Sequence, residues 1–222
     1  MRSISDNDHE LVKSILDTGI DINVLDQDGN SPLYEAVSST SVSSNIVKDL
    51  FDAGADTGTL VQCYRKGNNT CWYPCDTSLL RAIKNEDLKM IHLLLDNGAT
   101  INGPQHRLVK RTPLQKAAEV GNLKIVQPFM TRGADVNAPP AVRGGATALQ
   151  LAAIGGYIDI VVVLLDNGAN VFASAARMNG RTALEGAAEH GQIDMIKVLF
   201  NATKGKGFGP QQHTHAIKFT KK

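Results

Sequence analysis

The sequence is poor in aromatic residues and has no long apolar run. Phe, Trp and Tyr make up 5% of its 222 residues, although apolar residues together reach 42%. This balance favours short, closely packed helices over β-sheets. The apolar stretch at 160–165 is far too short to span a membrane, which takes about 20 residues. We therefore expect an all-α protein with no membrane partner.

Cysteine and net charge are also scarce. Three cysteines and a net charge of +1 argue against a secreted disulfide scaffold and against a protein that binds mainly by neutralising phosphates. Residues 1–10 are polar and acidic, unlike a secretory signal. These absences predict a cytoplasmic or nuclear protein that does not bind nucleic acid.

A repeated element organises what is there. A Thr-x-Leu or Ser-x-Leu triplet recurs five times, and its last four copies are 35 residues apart. The triplets begin at Ser31, Thr77, Thr112, Thr147 and Thr182. A small pair such as Ala117-Ala118 follows each triplet, and a Gly-Ala pair such as Gly133-Ala134 closes all but the last unit.

Each repeated feature suits a helix–turn–helix unit. Thr or Ser caps the first helix, and Pro is tolerated next to it. Glycine permits the turn between the helices and ends the second helix. The Leu and Ile/Val positions form the apolar stripe that joins neighbouring units.

The segments 112–118, 121–126 and 133–137 resemble the ankyrin repeat. The resemblance covers about residues 8–203 and implies an all-α ankyrin-repeat solenoid of helix-turn-helix units with long finger loops. The phrase at 180–191 is similar to arrays of large fungal ankyrin-repeat proteins. We expect an N-terminal half repeat as a cap (1–26), five repeats (27–203) with a cysteine-containing insertion at 57–75, and a basic linker with a capping helix (204–222).

One departure from the ankyrin pattern concerns the residue after the conserved Leu. Ankyrin repeats often carry His there, bonded to a neighbouring loop. The five positions here are Tyr34, Leu80, Gln115, Gln150 and Glu185. The departure leaves that hydrogen bond between loops in question.

The insertion holds all three cysteines, Cys63, Cys71 and Cys75. They could bind zinc with His92 or His106, form a Cys71–Cys75 disulfide, or be unreactive thiols in a structural insertion. Their spacings of eight and four are not those of a zinc knuckle. We therefore favour the structural insertion and expect no metal and no cofactor.

Candidate partner-binding residues lie on the loops and on the first helices. Four arginines fall in successive loops, where bidentate bonding suits an acidic or phosphorylated protein segment. An aromatic pair marks the tip of the insertion, and three residues point toward the concave face. The candidates are Arg65, Arg107, Arg143 and Arg177 on loops, Trp72 and Tyr73 at the tip, and Arg81, Lys116 and Leu151 on the face.

The sequence contains no recognisable catalytic motif. Following the resemblance, we expect a non-enzymatic scaffold, a monomer that binds a protein partner through its finger loops and concave face. The alternative is a small-molecule-binding or catalytic protein with a pocket between residues 57–75 and the concave face.

Overall fold

The computed structural model describes residues 2–39, 42–61, 76–103, 109–142 and 144–204. Helices and loops, without strands, make up these residues. They belong to two compact units, Met1–Val109 (unit 1) and Lys110–Lys222 (unit 2). The predicted capping helix at 211–222 lies outside the described residues.

Unit 1 contains three helix pairs. The first helix is short and contacts both its own partner and the first helix of the next pair. The helices are α1 Arg2–Ser5, α2 His9–Leu16, α3 Pro32–Ser38, α4 Ser44–Asp52, α5 Ser78–Lys84 and α6 Leu88–Asp96.

Unit 2 also contains three helix pairs. Its first helices pack in a row, with α9 between α7 and α11. The helices are α7 Pro113–Val120, α8 Leu123–Thr131, α9 Ala148–Gly155, α10 Ile158–Asp166, α11 Ala183–Glu189 and α12 Ile193–Thr203.

The hydroxyl residues of the repeated triplets begin the first helices, as predicted. Ser31, Thr77, Thr112, Thr147 and Thr182 each accept a hydrogen bond from the backbone N–H three residues on. This bond satisfies one of the N–H groups that a helix start leaves without an intrahelical partner.

The leucines of the repeated triplets and the β-branched pairs form the core. Leu33, Leu79, Leu114 and Leu149 are at most 2% exposed, and Ile125 and Ile160 are fully buried. Burial of each such side chain contributes about 1.5–3 kcal/mol. The repeat register predicted from the sequence is therefore the register in which the helices pack.

Candidate interaction surface

The structure describes four of the nine predicted partner-binding residues: Arg81, Lys116, Leu151 and Arg177. Arg65, Trp72, Tyr73, Arg107 and Arg143 lie outside the described residues, as do the three cysteines and His106. The predicted role of the four loop arginines and the three interpretations of the cysteines stay predictions. Among the described residues, no three His, Cys, Asp or Glu side chains converge on a possible metal position.

The Arg81 side chain makes hydrogen bonds and an ion pair within unit 1. Its Nε donates a hydrogen bond to the Tyr34 hydroxyl over 2.9 Å, and a terminal nitrogen of its guanidinium also bonds to that oxygen. The hydroxyl in turn donates to Asp76 Oδ2 at 3.4 Å, and the Arg81 guanidinium lies 3.7 Å from the same carboxylate. Arg81 therefore joins α3 to α5 and is only half-exposed.

Asp76 also directly follows the insertion in sequence. Its backbone N–H and C=O pair with those of Val61 at 3.1 and 3.0 Å. The two residues that flank segment 62–75 are thus held together by main-chain bonds, and the Asp76 side chain is fixed by Tyr34 and Arg81. The start and end of the segment therefore leave the repeat array at one point.

Lys116 lies on α7 in a small charge cluster. Its Nζ is 2.8 Å from Glu119 Oε2, and Arg111 approaches the other oxygen to 3.1 Å. Burial alone raises the pKa of the Glu119 carboxyl. The Lys116 hydrogen bond and the Arg111 charge outweigh that effect and hold the pKa below its usual range.

The positions that correspond to Arg111 and Glu119 in the next two repeats differ in chemistry. Arg181 and Glu189 repeat the ion pair in the last repeat, at 2.7 Å. The repeat between them has Ala146 and Ile154 at these positions, and Ile154 packs over Gly186, where an added Cβ would lie 2.4 Å from its Cγ1. The first-helix face of unit 2 is thus apolar between two ion pairs. Leu151 adds little accessible area to it, because it is only 8% exposed.

The loops before α9 and α11, residues 138–146 and 173–181, are the fingers of unit 2. Gly144 N–H donates to Met178 O at 2.9 Å, and Met178 N–H donates to Val142 O at 3.4 Å. Each finger closes tightly at a glycine: an added Cβ at Gly145 or Gly180 would lie about 2.2 Å from backbone atoms of the residue four positions earlier. The main chain therefore fixes the two fingers against each other.

The finger tips carry exposed apolar side chains. Val142 is 65% exposed and Met178 47%, and Arg177 is exposed beside them. Arg177 is one of the predicted partner-binding residues, whereas Val142 and Met178 are not among them. The available signal was an apolar residue at the middle of a loop otherwise rich in Gly, Ala and Arg.

Glutamine side chains make the hydrogen bond to the next loop that histidine often makes in ankyrin repeats. Gln150 accepts from Thr147 N–H at 3.0 Å, while its side-chain nitrogen donates to Ala173 O at 2.9 Å and Ser174 O at 3.2 Å. Gln115 does the same with Thr112, Ala138 and Pro139. An amide has both an acceptor and donors, so it can bridge its own helix start and the next loop.

Asparagine adds a second bridge between repeats. Asn137 Nδ2 donates to Gly168 O at 3.0 Å, and its Oδ1 accepts from Asn170 N–H at 2.8 Å. Asn23 makes the equivalent pair of bonds in unit 1, to Gly54 and Asp56, at 3.1 and 2.8 Å. An asparagine side chain in one repeat is therefore bonded to backbone groups of the next.

Models of the ankyrin repeat family match most of the chain. The model described as "Ankyrin repeats (3 copies)" matches residues 43–140, 79–175 and 129–208, and the model "Ankyrin repeats (many copies)" matches 2–51. No helix of the described chain is long and apolar enough to cross a membrane.

Two proteins illustrate these similarities. A putative ankyrin repeat protein of fowlpox virus (strain NVSL) is 39% identical over 77 residues, which are 31% of this chain and 17% of that protein. The crystal structure of the human ASB11 ankyrin repeat domain matches 98% of this chain and 89% of its own, with a TM-score of 0.71 and 19% identity. The second match shows the fold alone and confirms the predicted all-α ankyrin-repeat solenoid. The narrower resemblance to fungal arrays stays a prediction.

Proposed function

Because the chain belongs to the ankyrin-repeat family, whose repeats are generally protein–protein interaction modules, we propose that it binds a protein partner through the fingers and first-helix face of unit 2. The observation that carries the proposal is the pair of exposed apolar tips, Val142 and Met178, on fingers bonded to each other by their main chains. Exposed apolar side chains on a fixed backbone are suited to binding, because little ordering entropy is lost when the partner docks.

The first-helix face supports the same proposal. The Arg111 guanidinium donates to Gly144 O at 3.3 Å and pairs with Glu119 on α7, so it joins a finger to that face. A partner segment that contacts the fingers would therefore meet the half-buried Ile154 and the two flanking ion pairs. Lys116 is already paired with Glu119, so its role is to shape this surface rather than to bind as a free cation.

The partner we propose is a protein segment with an apolar anchor and an acidic or phosphorylated neighbour. Val142 and Met178 would receive the anchor, and the exposed Arg177 would bind the anion. Arg65, Arg107 and Arg143, with Trp72 and Tyr73, stay partner-binding residues predicted from the sequence. Arg81 is omitted from the binding set because Tyr34 and Asp76 already hold it.

A capture experiment with matched baits tests the proposal. Wild type, Val142→Asp/Met178→Asp and the control Val162→Asp/Ile193→Asp would be incubated with native cell extract, and captured proteins quantified by mass spectrometry. Val162 on α10 is 41% exposed and Ile193 on α12 is 66% exposed, so the control adds the same two negative charges away from the fingers. We expect a protein that wild type and control enrich alike and that the finger variant enriches at least ten-fold less.

Purified components then separate apolar from charged contributions. The captured protein, bound to the chain in a calorimeter, should lose affinity with Arg65, Arg107, Arg143 and Arg177 all changed to Glu, and this loss should shrink as salt is raised. Equal capture by the finger variant and the control would overturn the proposal. The pocket alternative depends on residues 62–75, outside the described chain, and stays a prediction, as does the cytoplasmic or nuclear location.

A further inference from the structure

Unit 1 has an apolar groove at its N-terminal helix pair, which we call the N-terminal groove. It is lined mainly by α1, α2 and residues 20–26 of the loop that follows α2, and its volume is about 210 Å³. Pockets for cofactors and other small molecules usually measure about 300–1,000 Å³, so this groove is better suited to a few side chains of another protein. The aliphatic residues that line it include Ile4, Val12, Ile15, Leu16, Ile20 and Leu25.

One lining residue, Ile20, departs from the repeat pattern. It follows Gly19, whereas the glycine at the end of the second helix is followed by alanine in the next four repeats, at Ala55, Ala99, Ala134 and Ala169. Those alanines are buried or half-buried, but the Ile20 side chain is 57% exposed. The repeat fold therefore does not require an isoleucine at this position, and the isoleucine adds aliphatic surface to the groove.

Other side chains of the lining are also in contact with water. Ile15 is 37% exposed, Leu25 is 43% exposed and Val24 is 57% exposed. Because these residues and Ile20 line one groove, they form a patch rather than a set of scattered single residues. An exposed apolar patch of this kind indicates a binding surface, whereas scattered apolar residues are normal on any protein.

Two carboxylates of the lining, those of Asp21 and Asp26, are held in place by the main chain. Asp21 Oδ1 accepts a hydrogen bond from Asn23 N–H at 2.9 Å, and Asp26 Oδ1 accepts from the N–H groups of Asp28 and Asn30, each at 2.9 Å. Among the side chains that the structure describes, no Lys, Arg or His forms an ion pair with either carboxylate. The groove therefore offers two fixed negative groups that cations of a partner can pair with.

The sequence around the groove has the same sign of charge. Residues 1–28 contain seven Asp or Glu against one Arg and one Lys, although the net charge of the whole chain is +1. A negative groove repels nucleic acid and anionic lipid, and it would also repel the same groove of a second copy. An occupant should instead combine aliphatic side chains with positive charge, because complementary charge speeds encounter and disfavours wrong partners.

We propose that the N-terminal groove binds a segment of a partner protein in which aliphatic residues are flanked by Lys or Arg. The aliphatic side chains would contact Ile15, Ile20 and Leu25. The cations would pair with Asp21 and Asp26, since hydrogen bonds between charged groups are stronger than neutral ones. The partner proposed for the fingers of unit 2 has an acidic or phosphorylated segment, so the two surfaces would bind partners of opposite charge.

Selection from a library of random peptides displayed on phage tests the proposed chemistry. The bait is the full chain. Peptides that also bind the variant Ile20→Lys/Leu25→Lys are discarded, which removes those that bind the fingers or any other surface. Circular dichroism would verify that this variant folds. We expect the remaining peptides to carry more Lys and Arg than Asp and Glu, next to aliphatic residues. No remaining peptide, or a set without that excess of positive charge, would overturn the proposal.

The affinity of one selected peptide, labelled with fluorescein and followed by anisotropy, tests the apolar contact. Ile20→Ala should weaken binding about five-fold or more, because it removes the proposed contact and leaves the residue that four other repeats carry there. Leu11→Ala is the matched control, since Leu11 is 48% exposed on α2 and does not line the groove. Thermal unfolding would verify that both variants fold. Equal affinities of the two variants would contradict the proposal.

Asparagine substitutions test the charge pairs with the same peptide. Asp21→Asn/Asp26→Asn removes both charges and keeps a side-chain oxygen for the main-chain hydrogen bonds. Binding should weaken about five-fold or more, and raising NaCl from about 50 to about 500 mM should reduce this difference. The control Asp56→Asn/Asp135→Asn removes two charges at the positions that correspond to Asp21 in other repeats, and it should bind like wild type. Equal losses for variant and control would rule out a specific role of the groove carboxylates.

The finger variant separates this proposal from the one made for unit 2. Val142→Asp/Met178→Asp should bind the selected peptide as tightly as wild type, because neither residue lines the groove. A loss of peptide binding in this variant would assign the peptide to the fingers and overturn the groove proposal. Unchanged binding would leave the groove proposal standing, even if the capture experiment on the fingers finds no partner.

Discussion

Units 1 and 2 build the same helix pair by different chemistry. In unit 2 the triplets are 35 residues apart, and glycines with positive φ, between 66° and 85°, occupy each interhelix turn at Gly121, Gly156 and Gly191. In unit 1 the turns after α1 and α5 place Asn7 and Glu86 at φ values of 55° and 57°. The interhelix turns of unit 2 thus use glycine for the left-handed conformation, whereas two of those in unit 1 use residues other than glycine.

The links between repeats differ in the same way. Gln150 joins α9 to the next loop through neutral amide bonds, whereas Tyr34 joins α3 to α5 through a cation and a carboxylate. The comparison shows that the position after the conserved leucine acts as a bridge in both units, although the bridging group changes. An amide and a phenol can each make the contact, whereas Leu80 at the same position of another repeat has no polar side-chain atom with which to make it.

The largest expected effect concerns the buried leucine that first helices of both units share. Leu33→Ala in unit 1 and Leu149→Ala in unit 2 should each lower the free energy of unfolding by about 2–5 kcal/mol, because each removes a buried side chain and leaves a cavity. Both leucines are at most 2% exposed. Chemical denaturation measures the loss, with the exposed Leu11→Ala as control. A loss below about 1 kcal/mol at either site would contradict the shared register.

The second-largest expected effect distinguishes the amide bridge at Gln150 from the phenol bridge at Tyr34. Gln150→Leu should cost about 1–3 kcal/mol, because it leaves Thr147 N–H and two carbonyls of the next loop without their partner. Tyr34→Phe should cost only about 1 kcal/mol, since the Arg81 guanidinium still lies near Asp76. The exposed Gln127→Leu is the control for the first change. Equal losses for Gln150→Leu and Tyr34→Phe in denaturation would remove the proposed distinction between the bridges.

A smaller effect tests the turns. Gly191→Ala should cost about 1 kcal/mol through backbone conformation alone, because its φ is 66° and an added Cβ meets no atom within 4 Å. Glu86→Gly should cost less than Gly191→Ala, since glycine adopts a φ of 57° without that penalty, which offsets part of the loss of the side chain's own contacts. Thermal unfolding measures the loss of stability in each variant. A larger loss for Glu86→Gly than for Gly191→Ala would show that the side chain of Glu86 matters more than its backbone conformation.

The smallest effect depends on pH. The pKa of Glu119 is lowered in the folded state, so its contribution to stability is present above the unfolded pKa of about 4.3 and is lost as pH falls through the folded value. The contribution should be about 1 kcal/mol or less, because 36% of the side chain is exposed. Denaturation midpoints between pH 3 and 7 should fall less steeply for Glu119→Gln than for wild type. Identical slopes would contradict the lowered pKa.

The fold was predictable because its rules are local and recur. A hydroxyl cap and a buried leucine recur in five units, and a turn glycine at fixed spacing recurs in the last three, so agreement among several units identifies the register. The residue after the leucine was predicted less well, because the sequence does not show that a glutamine reaches the next loop.

The candidate surface depended on contacts between residues far apart in sequence. Arg81 and Lys116 were predicted as partner-binding cations, but Tyr34 and Glu119 hold them. Leu151 was predicted on the concave face and is almost buried there. Val142 and Met178 were missed because the exposure of a loop side chain depends on how its loop pairs with the next.

The backbone conformation of the two fingers does not depend on the side chains at some of their positions. Gly145 and Gly180 close the two loops against their own backbones, and main-chain bonds pair the loops with each other. The side chains at positions 142, 177 and 178 take no part in those bonds. A combinatorial library at these three positions should therefore yield variants with altered recognition and unchanged stability, which makes unit 2 a scaffold for selecting new binders.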